Sequence, residues 1–469
     1  MPPMPALPPG PRIPAIAQAV QFGRDPTGYL ERCAARYGDA FTLRLPNDPP
    51  RVVFSDPASI KQIFALRPDA YRSDNQSIHL NLGEHSVLFQ DGERHRRQRK
   101  LMTPVLGGAR LKAYAETMAA VTREELATWP RDEVFAVHPH MQQVTLDVFL
   151  RCVFGLEGAE AIRQRRRAMA WLDEVISPKL FATAMVINAN RLRRMLDRAV
   201  DHMRTPGPRP LLFRKVAQSK VELLDMLHAQ IRQRRAEGTE GREDVLSMLV
   251  DARYEDGEPM EDEDILSQLL TLLVGGHDTT ANSLSWALSL LSRHPEVLRR
   301  VHDELDEVFD GGPVQPARAK ELVYLDAVIK ESMRLIPIAP AVSRTLTSER
   351  ELGGLRLPAG TIVWASIYLT QRRPELFDDP TAFKPERFLD RKAGSNELFP
   401  FGGGARRCLG ALFATFEMRI VLAELLHRFQ LHEAGAPPSV MFSGIVMSPT
   451  GGATVRVTPR QAERSSLKG

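Results

Sequence analysis

The sequence predicts a predominantly α-helical fold with a small, separate β-rich part, an α+β architecture. Helical periodicity runs through most of residues 90–335, whereas short strand-like segments gather at 38–55 and 342–370 and return near the C-terminus. Hydrophobic residues make up 43% of the 469-residue chain, which is enough for a large core. Because no repeat or linker separates these parts, we expect a single domain over residues 25–469 behind a proline-rich leader at 1–24.

Local signals mark the ends of individual elements. Asp25 to Tyr37 has helical periodicity, and Ser55-Asp56-Pro57 begins another helix because proline is favoured in the first helical turn. Strands are predicted at residues 40–45, 51–54, 342–346, 355–357 and 361–365, and a further helical part at 408–430.

Composition and cysteine usage limit the possible classes of protein. The formal net charge of +4 is spread over a large surface and no nucleic-acid module is present, so we expect no binding of nucleic acid. Cys33, Cys152 and Cys408 are odd in number and far apart, which implies no disulfide framework and fits a reducing cytoplasmic setting. The N-terminal segment 1–11 is too rich in proline for a helix and has no apolar run of membrane length. We expect a cytoplasmic monomer without a membrane anchor.

The strongest motif is the segment 401–410, Phe-Gly-Gly-Gly-Ala-Arg-Arg-Cys-Leu-Gly, just before an apolar helix. Its glycines allow a tight turn that brings backbone N–H groups close to the sulfur of Cys408. Such donors stabilise a thiolate, the form that binds metals. The alternative is an ordinary buried cysteine, the default for a lone Cys, but the number of fixed positions argues against it.

A second motif is the segment 275–280, Gly-Gly-His-Asp-Thr-Thr, in a long helix that begins after the acidic run 261–264 and ends before Pro295. Each of these adjacent glycines lowers the stability of a helix by about 1 kcal/mol relative to alanine. One interpretation is a kink packed against a neighbouring helix. The functional interpretation is that Gly275 and Gly276 open a groove in which a flat ligand reaches the backbone.

The spacing Phe-x-x-Gly-x-Arg-x-Cys-x-Gly and the pattern Gly-Gly-x-Asp-Thr resemble two signatures of the cytochrome P-450 superfamily, here of the soluble bacterial type. The resemblance implies the cytochrome P-450 fold, a helical bundle around buried haem b (iron protoporphyrin IX) with a small β-rich subdomain. It implies that Cys408 is the axial thiolate ligand of the iron. It implies that Thr279 forms a hydrogen bond with the oxygen bound to the iron and that Asp278 helps to relay protons. It also implies cofactor contacts from Phe401, Gly275 and Gly276.

The same resemblance implies a role for two basic residues, His95 and Arg99. His95 and Arg99 are four residues apart and therefore lie on one face of a predicted helix. Alone they would be interpreted as part of a solvated charge run. The resemblance implies that they bind the haem propionates, and that Arg344 and Arg406 are further propionate contacts.

Glu331 and Arg334 form a Glu-x-x-Arg pair on a predicted helix, a pattern that is weak by itself because many surface helices contain it. The resemblance joins this pair to Arg387 in a buried, charge-assisted network that fixes the cysteine loop. Its expected role is structural support for haem incorporation.

The function that the resemblance implies is a haem-thiolate monooxygenase, which inserts one atom of O₂ into a lipophilic small molecule by hydroxylation or epoxidation. Fatty acids, terpenoids, steroids and polyketides all suit an apolar pocket. The alternatives are a peroxide-driven peroxygenase or isomerase, and a non-catalytic haem-thiolate sensor. We expect a lid over residues 177–211. The pocket lining is expected from residues 76–89, the approach to Gly275, residues 338–342 and residues 441–445.

Electron supply requires a second protein, because the chain contains no FMN, FAD or ferredoxin module. A ferredoxin or flavodoxin-type donor with its reductase is the expected partner. Arg96, Arg97, Lys100 and Arg407 have no expected internal role, and we predict that they form a basic docking face for an acidic donor. The alternative is that they only aid solubility.

Overall fold

The protein was analysed as a computed structural model. It describes residues 7–73, 82–108, 110–156, 158–175, 180, 183, 189–205, 213–442 and 446–460.

The helices, numbered here in chain order, are α1 Ala15–Arg24, α2 Pro26–Tyr37, α3 Pro57–Phe64, α4 Gly92–Met102, α5 Arg110–Leu126, α6 His138–Phe154, α7 Gly158–Val175, α8 Ala189–Arg204, α9 Arg214–Glu237, α10 Val245–Asp251, α11 Asp262–Arg293, α12 Pro295–Phe309, α13 Val323–Leu335, α14 Ile367–Thr370 and α15 Ala411–Arg428. The strands are β1 Ala40–Leu43, β2 Arg51–Phe54, β3 Tyr71–Arg72, β4 Val134–Ala136, β5 Ala341–Leu346, β6 Arg350–Leu352, β7 Leu355–Leu357, β8 Ile362–Ser366, β9 Phe429–Glu433, β10 Val440–Phe442, β11 Met447–Pro449 and β12 Thr454–Pro459.

Helix α11 runs through the centre of the helical part. It begins with Asp262, Glu263 and Asp264 in its first turn, where acidic side chains suit the helix dipole, and it ends before Pro295. Its side chains are buried on most of its circumference, with α6 as its most extensive neighbour. A helix that is covered on most sides forms the centre of a core.

The β-rich part is a five-stranded sheet in the order β1-β2-β8-β5-β3, in which β2 and β8 are parallel and the other neighbours are antiparallel. A three-stranded sheet, β4-β12-β9, and two hairpins complete it. All four residues of β2 are buried, as expected for a central strand covered on both faces. The sheet places β5 and the segment before it beside the cysteine loop, because Arg344 of β5 donates a hydrogen bond to the carbonyl of Gly403.

The predicted α+β architecture is confirmed, with local differences. Residues 15–24, assigned from the sequence to the leader, form α1, whose Phe22 packs in a cluster with Tyr29. Prolines dominate only the first eleven residues, so the apolar spacing that follows them can form a helix. Strand β4 interrupts the segment predicted to be helical, because it pairs with β12 from the distant C-terminal part.

Within the described residues, no helix is both long enough and apolar enough to cross a membrane.

Candidate active site

A cavity of about 570 Å³ lies between α11 and the cysteine loop. It brings together most of the residues predicted to contact the cofactor or oxygen. Those in its wall are His95, Arg99, Gly275, Gly276, Thr279, Arg344, Phe401, Arg406 and Cys408. Residues that are more than 300 positions apart in the chain therefore share one space.

The cysteine loop is shaped by its glycines. Gly402 and Gly404 have φ angles of 67° and 65°, in the left-handed region that glycine adopts without strain. A Cβ on Gly403 would lie 2.3 Å from the ring of Phe64, so α3 packs directly on the loop backbone. The backbone N–H of Cys408 donates to the carbonyl of Phe401 at 2.9 Å, which closes the loop and turns the cysteine toward the cavity.

The thiol of Cys408 is enclosed by protein but open to the cavity. Burial raises its pKa, whereas the backbone N–H of Gly410 and the charges of Arg99 and Arg407 act in the opposite direction. These donors and charges favour the thiolate, and a coordinated metal would complete the deprotonation.

No group of three or more His, Cys, Asp or Glu side chains in the described part of the chain is placed to hold a metal ion. Haem iron takes one axial ligand from the protein in several families, and a cysteine thiolate is such a ligand.

A cationic cluster lies at one end of the cavity. Arg99 donates to the carbonyl of Arg407, and Arg344 lies with its guanidinium 5.0 Å from the centre of the Tyr71 ring. Arg406 binds the carboxylate of Asp91. The cluster therefore contains three guanidinium groups, of Arg99, Arg344 and Arg406, and one carboxylate, of Asp91. Its positive charges exceed its negative charges by two.

Burial and the neighbouring charges also shift the pKa values of side chains in this cluster. Burial lowers the pKa of His95 to about 4, helped by the nearby charges of Arg406, Arg99 and Arg344, so its imidazole is neutral at pH 7. Burial also lowers the pKa of Arg344 to about 10. The Nε atom of Arg406 is buried without a hydrogen-bond partner. This unpaired donor and the excess of positive charge fit two carboxylates such as the haem propionates.

Helix α11 forms the opposite wall. A Cβ built on Gly275 or Gly276 would meet no atom within 4 Å, so both glycines leave open space beside the helix. Thr279, one turn later, faces the cavity and donates from its hydroxyl to the carbonyl of Gly275 at 2.6 Å. The groove predicted for this helix is therefore present in the structure, with a hydroxyl at its edge.

Asp278 does not line this cavity. Its carboxylate is buried on the side of α11 that faces α6, where it accepts a hydrogen bond from Gln142 at 3.1 Å. His138 lies 3.7 Å from the same oxygen. Neighbouring helical positions differ by about 100° in direction, which is why Asp278 and Thr279 point to different sides. Of the two residues predicted to manage oxygen and protons, only Thr279 therefore lines the cavity.

The predicted support network is a compact hydrogen-bonded cluster. Arg334 donates from Nε to Glu331 at 2.7 Å and from Nη2 to the second carboxylate oxygen at 2.8 Å, and neither side chain is exposed. Arg387 donates to Glu331 at 3.1 Å, and the backbone N–H of Lys384 does so at 2.9 Å. Arg334 also donates to the carbonyl of Gln371. One carboxylate therefore ties α13 to the segment that precedes the cysteine loop.

Acidic side chains neutralise more of the predicted basic docking face than we expected from the sequence. Arg97 binds Asp256 at 2.6 Å, and Lys100 binds Glu255. Both acids lie in the loop before α11, which the sequence alone does not place beside α4. Both cations therefore have acidic partners at the surface, which reduces the net charge of the predicted docking face.

The other two members of that face differ from each other. Arg96 pairs with Glu93 on its own helix at 2.9 Å, so it also has a partner. Arg407 is exposed beside Cys408, and its charge acts on the thiol of this cysteine.

The predicted pocket lining is found in part. All of residues 338–342 line the cavity, as do Val87 and Leu88. Residues 76–81 and 443–445, with most of the expected lid at 177–211, lie outside the described residues. Of the predicted segment 441–445, Phe442 lines the cavity, whereas Met441 is exposed and does not.

Sequence reasoning missed other lining residues. The cavity also contacts Phe149 and Val153 of α6, Phe22 of α1 and Trp364 of β8. Each belongs to an apolar helical face or a strand, and such patterns indicate core packing without distinguishing core from pocket.

The model of the family described as Cytochrome P450 matches residues 7–456. The chain belongs to the cytochrome P450 family. It is therefore a P450 monooxygenase with haem, iron protoporphyrin IX, as its cofactor. The match begins at residue 7, inside the segment assigned from the sequence to a leader.

Named P450s support this assignment over nearly the whole chain. A putative cytochrome P450 135B1 from Mycobacterium tuberculosis (strain H37Rv) is 37% identical, with 96% of this chain and 91% of that protein covered. A putative cytochrome P450 135A1 from the same strain is 34% identical, with 97% and 96% covered. The solved structure of a cyanobacterial CYP120A1 with retinoic acid bound has a TM-score of 0.80, covers 97% of this chain and 100% of its own, and shares 23% identity, which shows the fold alone.

We predict that Cys408→Ser abolishes the strongly red-shifted Soret band of the reduced CO complex, because a serine hydroxyl does not replace a thiolate as the axial donor. The measurement is the CO difference spectrum of the purified protein, with Cys33→Ser as the control outside the cavity. Survival of the shifted band in the Cys408 variant would contradict the assigned ligand.

Glu331→Gln should destabilise the holoprotein by about 3–5 kcal/mol, because it leaves the buried guanidinium of Arg334 without its carboxylate. The measurement is urea-induced unfolding, together with haem content per chain. Glu349→Gln is the matched control, since the Glu349–Arg356 pair is exposed and such pairs contribute about 1 kcal/mol or less. Equal effects of the two substitutions would count against the supporting role.

Proposed function

We propose that this P450 hydroxylates or epoxidises a lipophilic small molecule with electrons from a separate donor protein. The observation that carries the proposal is the shared cavity, in which Cys408 faces the glycines and Thr279 of α11. Its remaining wall is mainly apolar, so the substrate is expected to be a fatty acid, terpenoid, steroid or polyketide-like compound.

The apolar wall supports this choice of substrate class. Leu272 of α11, Phe149 and Val153 of α6, and Ile338 and Val342 near β5 contribute side chains to it. Thr271 also lines the cavity, but its hydroxyl is already bonded to Ser86 at 2.7 Å and to the carbonyl of Ser267 at 2.6 Å. A ligand of low polarity loses few hydrogen bonds on entering such a site.

Haem, when bound, supplies the activation of O₂ that insertion into a C–H bond or an alkene requires. Cys408 would hold it through its thiolate, and His95, Arg99, Arg344 and Arg406 would donate to its propionates. The glycines of α11 leave the space in which substrate and O₂ approach. Thr279 holds a hydroxyl proton at the edge of that space, where proton delivery is needed.

A peroxide-driven peroxygenase or isomerase is the alternative within catalysis. It would need no electron donor, and it would have less need of the hydroxyl of Thr279 and the buried carboxyl of Asp278, both of which this chain retains. A comparison of product formation with NAD(P)H, reductase and ferredoxin against peroxide alone separates the two. A non-catalytic sensor would form no product in either assay.

The electron donor is expected to be a ferredoxin or flavodoxin-type protein that docks where the cysteine loop approaches the surface. Arg407 is exposed there, and Leu412 at the start of α15 is 58% exposed. Arg96 and Lys100 of α4 extend this surface, although the acids they bind reduce its net charge. A mixed polar and apolar patch of this kind suits a transient complex.

Thr279→Ala should lower the yield of product per NAD(P)H in the reductase-driven reaction by about tenfold, in line with the loss of one proton-transferring group. Product and hydrogen peroxide are both quantified. Thr279→Ser, which keeps the hydroxyl, should retain most of the yield. Unchanged coupling in the alanine variant would show that Thr279 has no such role.

Lys100→Glu should raise the KM for ferredoxin several-fold while kcat changes little, because it places an acidic group on the docking surface. The effect should shrink as salt is added. Lys215→Glu on α9 is the control, since this exposed lysine lies on a helix that packs mainly against α7 and α8 rather than α4. An equal rise in both variants would place the donor elsewhere.

A further inference from the structure

Residues 82–90, called here the wall segment, form neither a helix nor a strand, yet they lie tightly against α11. Val87 and Leu88 of this segment line the cavity. A Cβ on Gly83 would lie 2.2 Å from Oγ of Ser267, so the backbone of the segment is in direct contact with the helix. Irregular backbone that is buried in this way keeps one shape only if its polar groups find partners outside it.

One side chain of α11 supplies two such partners. Oε1 of Gln268 accepts the backbone N–H of Val87 at 3.0 Å, and its Nε2 donates to the carbonyl of His85 at 2.8 Å. The orientation of the amide follows from its partners, because a backbone N–H only donates and a carbonyl only accepts. Gln268 thus takes the place that a neighbouring strand would have.

The position of Gln268 makes these two bonds necessary. Its side chain is fully buried and does not line the cavity. Such positions are normally apolar, since a buried amide is unfavourable unless its donor and its acceptor are both bonded. Both polar groups of Gln268 are bonded to the wall segment, so the amide and the segment stabilise each other.

A pair of hydroxyl groups, one turn further along α11, adds another tie. The hydroxyl oxygen of Thr271 lies 2.7 Å from that of Ser86, which in turn accepts the N–H of Leu88 at 3.2 Å. The helix therefore reaches both residues of the wall segment that line the cavity, Val87 through Gln268 and Leu88 through Ser86.

The far end of the wall segment is attached to the cysteine loop instead. Arg406 donates to the carbonyls of Leu88 and Gln90 and binds the carboxylate of Asp91. None of these contacts involves Gln268. Loss of its amide should therefore loosen the wall of the cavity and leave the cationic cluster in place.

We propose that Gln268 is a positioning residue for substrate selectivity, whose amide holds Val87 and Leu88 as a rigid wall of the apolar cavity. It acts through this wall and does not touch the substrate. A wall that is ordered beforehand favours binding, because the ligand does not have to order it. This inference rests on the proposed function, in which the cavity receives a lipophilic substrate.

The test uses two azoles that bind haem iron, imidazole and clotrimazole, titrated against the ferric holoprotein by the shift of the Soret band. Gln268→Met keeps the length of the side chain and removes both hydrogen bonds. The Kd of clotrimazole, whose three aryl rings need the apolar wall, should rise about tenfold because two wall side chains must then be ordered on binding. The Kd of imidazole, which is too small to fill the cavity, should stay as in wild type. An unchanged ratio of the two Kd values would overturn the proposal.

Gln268→Glu provides the conservative variant. A neutral carboxylic acid offers the same acceptor and donor as the amide, and burial together with Asp264, one turn earlier on α11, favours the neutral form. This variant should recover most of the affinity for clotrimazole. Affinity as low as that of Gln268→Met would show that the hydrogen bonds to the wall segment do not set it.

Gln371→Met is the matched control for a general loss of stability. Gln371 is an equally buried amide, whose Nε2 donates to the carbonyls of Met333 and Arg334 and whose Oε1 accepts the N–H of Phe399. Its loss should lower the haem content per chain without changing the azole ratio of the haem-loaded fraction. A change of the ratio as large as that in Gln268→Met would overturn the proposal.

Hydrogen exchange of the wild-type holoprotein gives a test that needs no substitution and decides the matter if Gln268→Met takes up no haem. The peptide that contains residues 82–90 is followed by mass spectrometry with and without clotrimazole. We expect nearly equal protection of its amides in the two states, because the wall is ordered before the ligand binds. Rapid exchange that clotrimazole suppresses would overturn the proposal.

The two levels of inference fail differently. If lipophilic compounds cause no spin-state shift in wild type and no product forms with the reductase system, the proposed function fails, while the azole ratio still decides the role of Gln268. If wild type forms product and Gln268→Met keeps the wild-type azole ratio, only the role of Gln268 fails.

Discussion

The carboxylate of Glu331 is the point on which the position of the active site depends. It accepts hydrogen bonds from Arg334, from Arg387 and from the backbone of Lys384, in a place that water does not reach. A buried charge of this kind is tolerated only when every partner is present. The segment that leads to the cysteine loop is therefore held against α13 by this carboxylate together with the bonds that Arg334 donates to the carbonyls of Gln371, Pro380 and Ala382.

Electrostatics divide the cavity into two ends with different tasks. The end near Arg344 and Arg406 has an excess of positive charge and a buried guanidinium nitrogen of Arg406 without a partner, whereas the wall near Leu272 and Phe149 is mainly apolar. A ligand with two carboxylates at one edge and a large apolar body matches both ends at once. Under the proposed function, this charge would orient the haem and the opposite side would receive an apolar substrate.

Much of this could be predicted from the sequence, because the strongest signals are local. The cysteine loop, the glycine pair of α11 and the ends of that helix depend on residues close together in the chain, and their predicted places agree with the structure. Contacts between distant segments could not be predicted. Nothing in the spacing of Arg97 and Lys100 indicates that two acids from the loop before α11 bind them.

The direction of the Asp278 side chain could not be predicted from the sequence for a related reason. Periodicity places a residue on a face of a helix, but the neighbouring helix that covers this face is known only from the tertiary structure. The lining residues of α6 were missed in the same way, because an apolar helical face has the same pattern in a core and in a pocket.

The route of the chain through β5 has a consequence for how such an enzyme changes its substrate over evolution. Residues 338–342 form part of the pocket wall, and the same strand continues directly to Arg344, which holds the carbonyl of Gly403 in the cysteine loop. A substitution that reshapes this wall by moving the backbone also moves a support of the cofactor. New substrate ranges are therefore reached at lower risk through α6, because the segment around Leu88 is also tied to the cysteine loop, by hydrogen bonds from Arg406 to the carbonyls of Leu88 and Gln90.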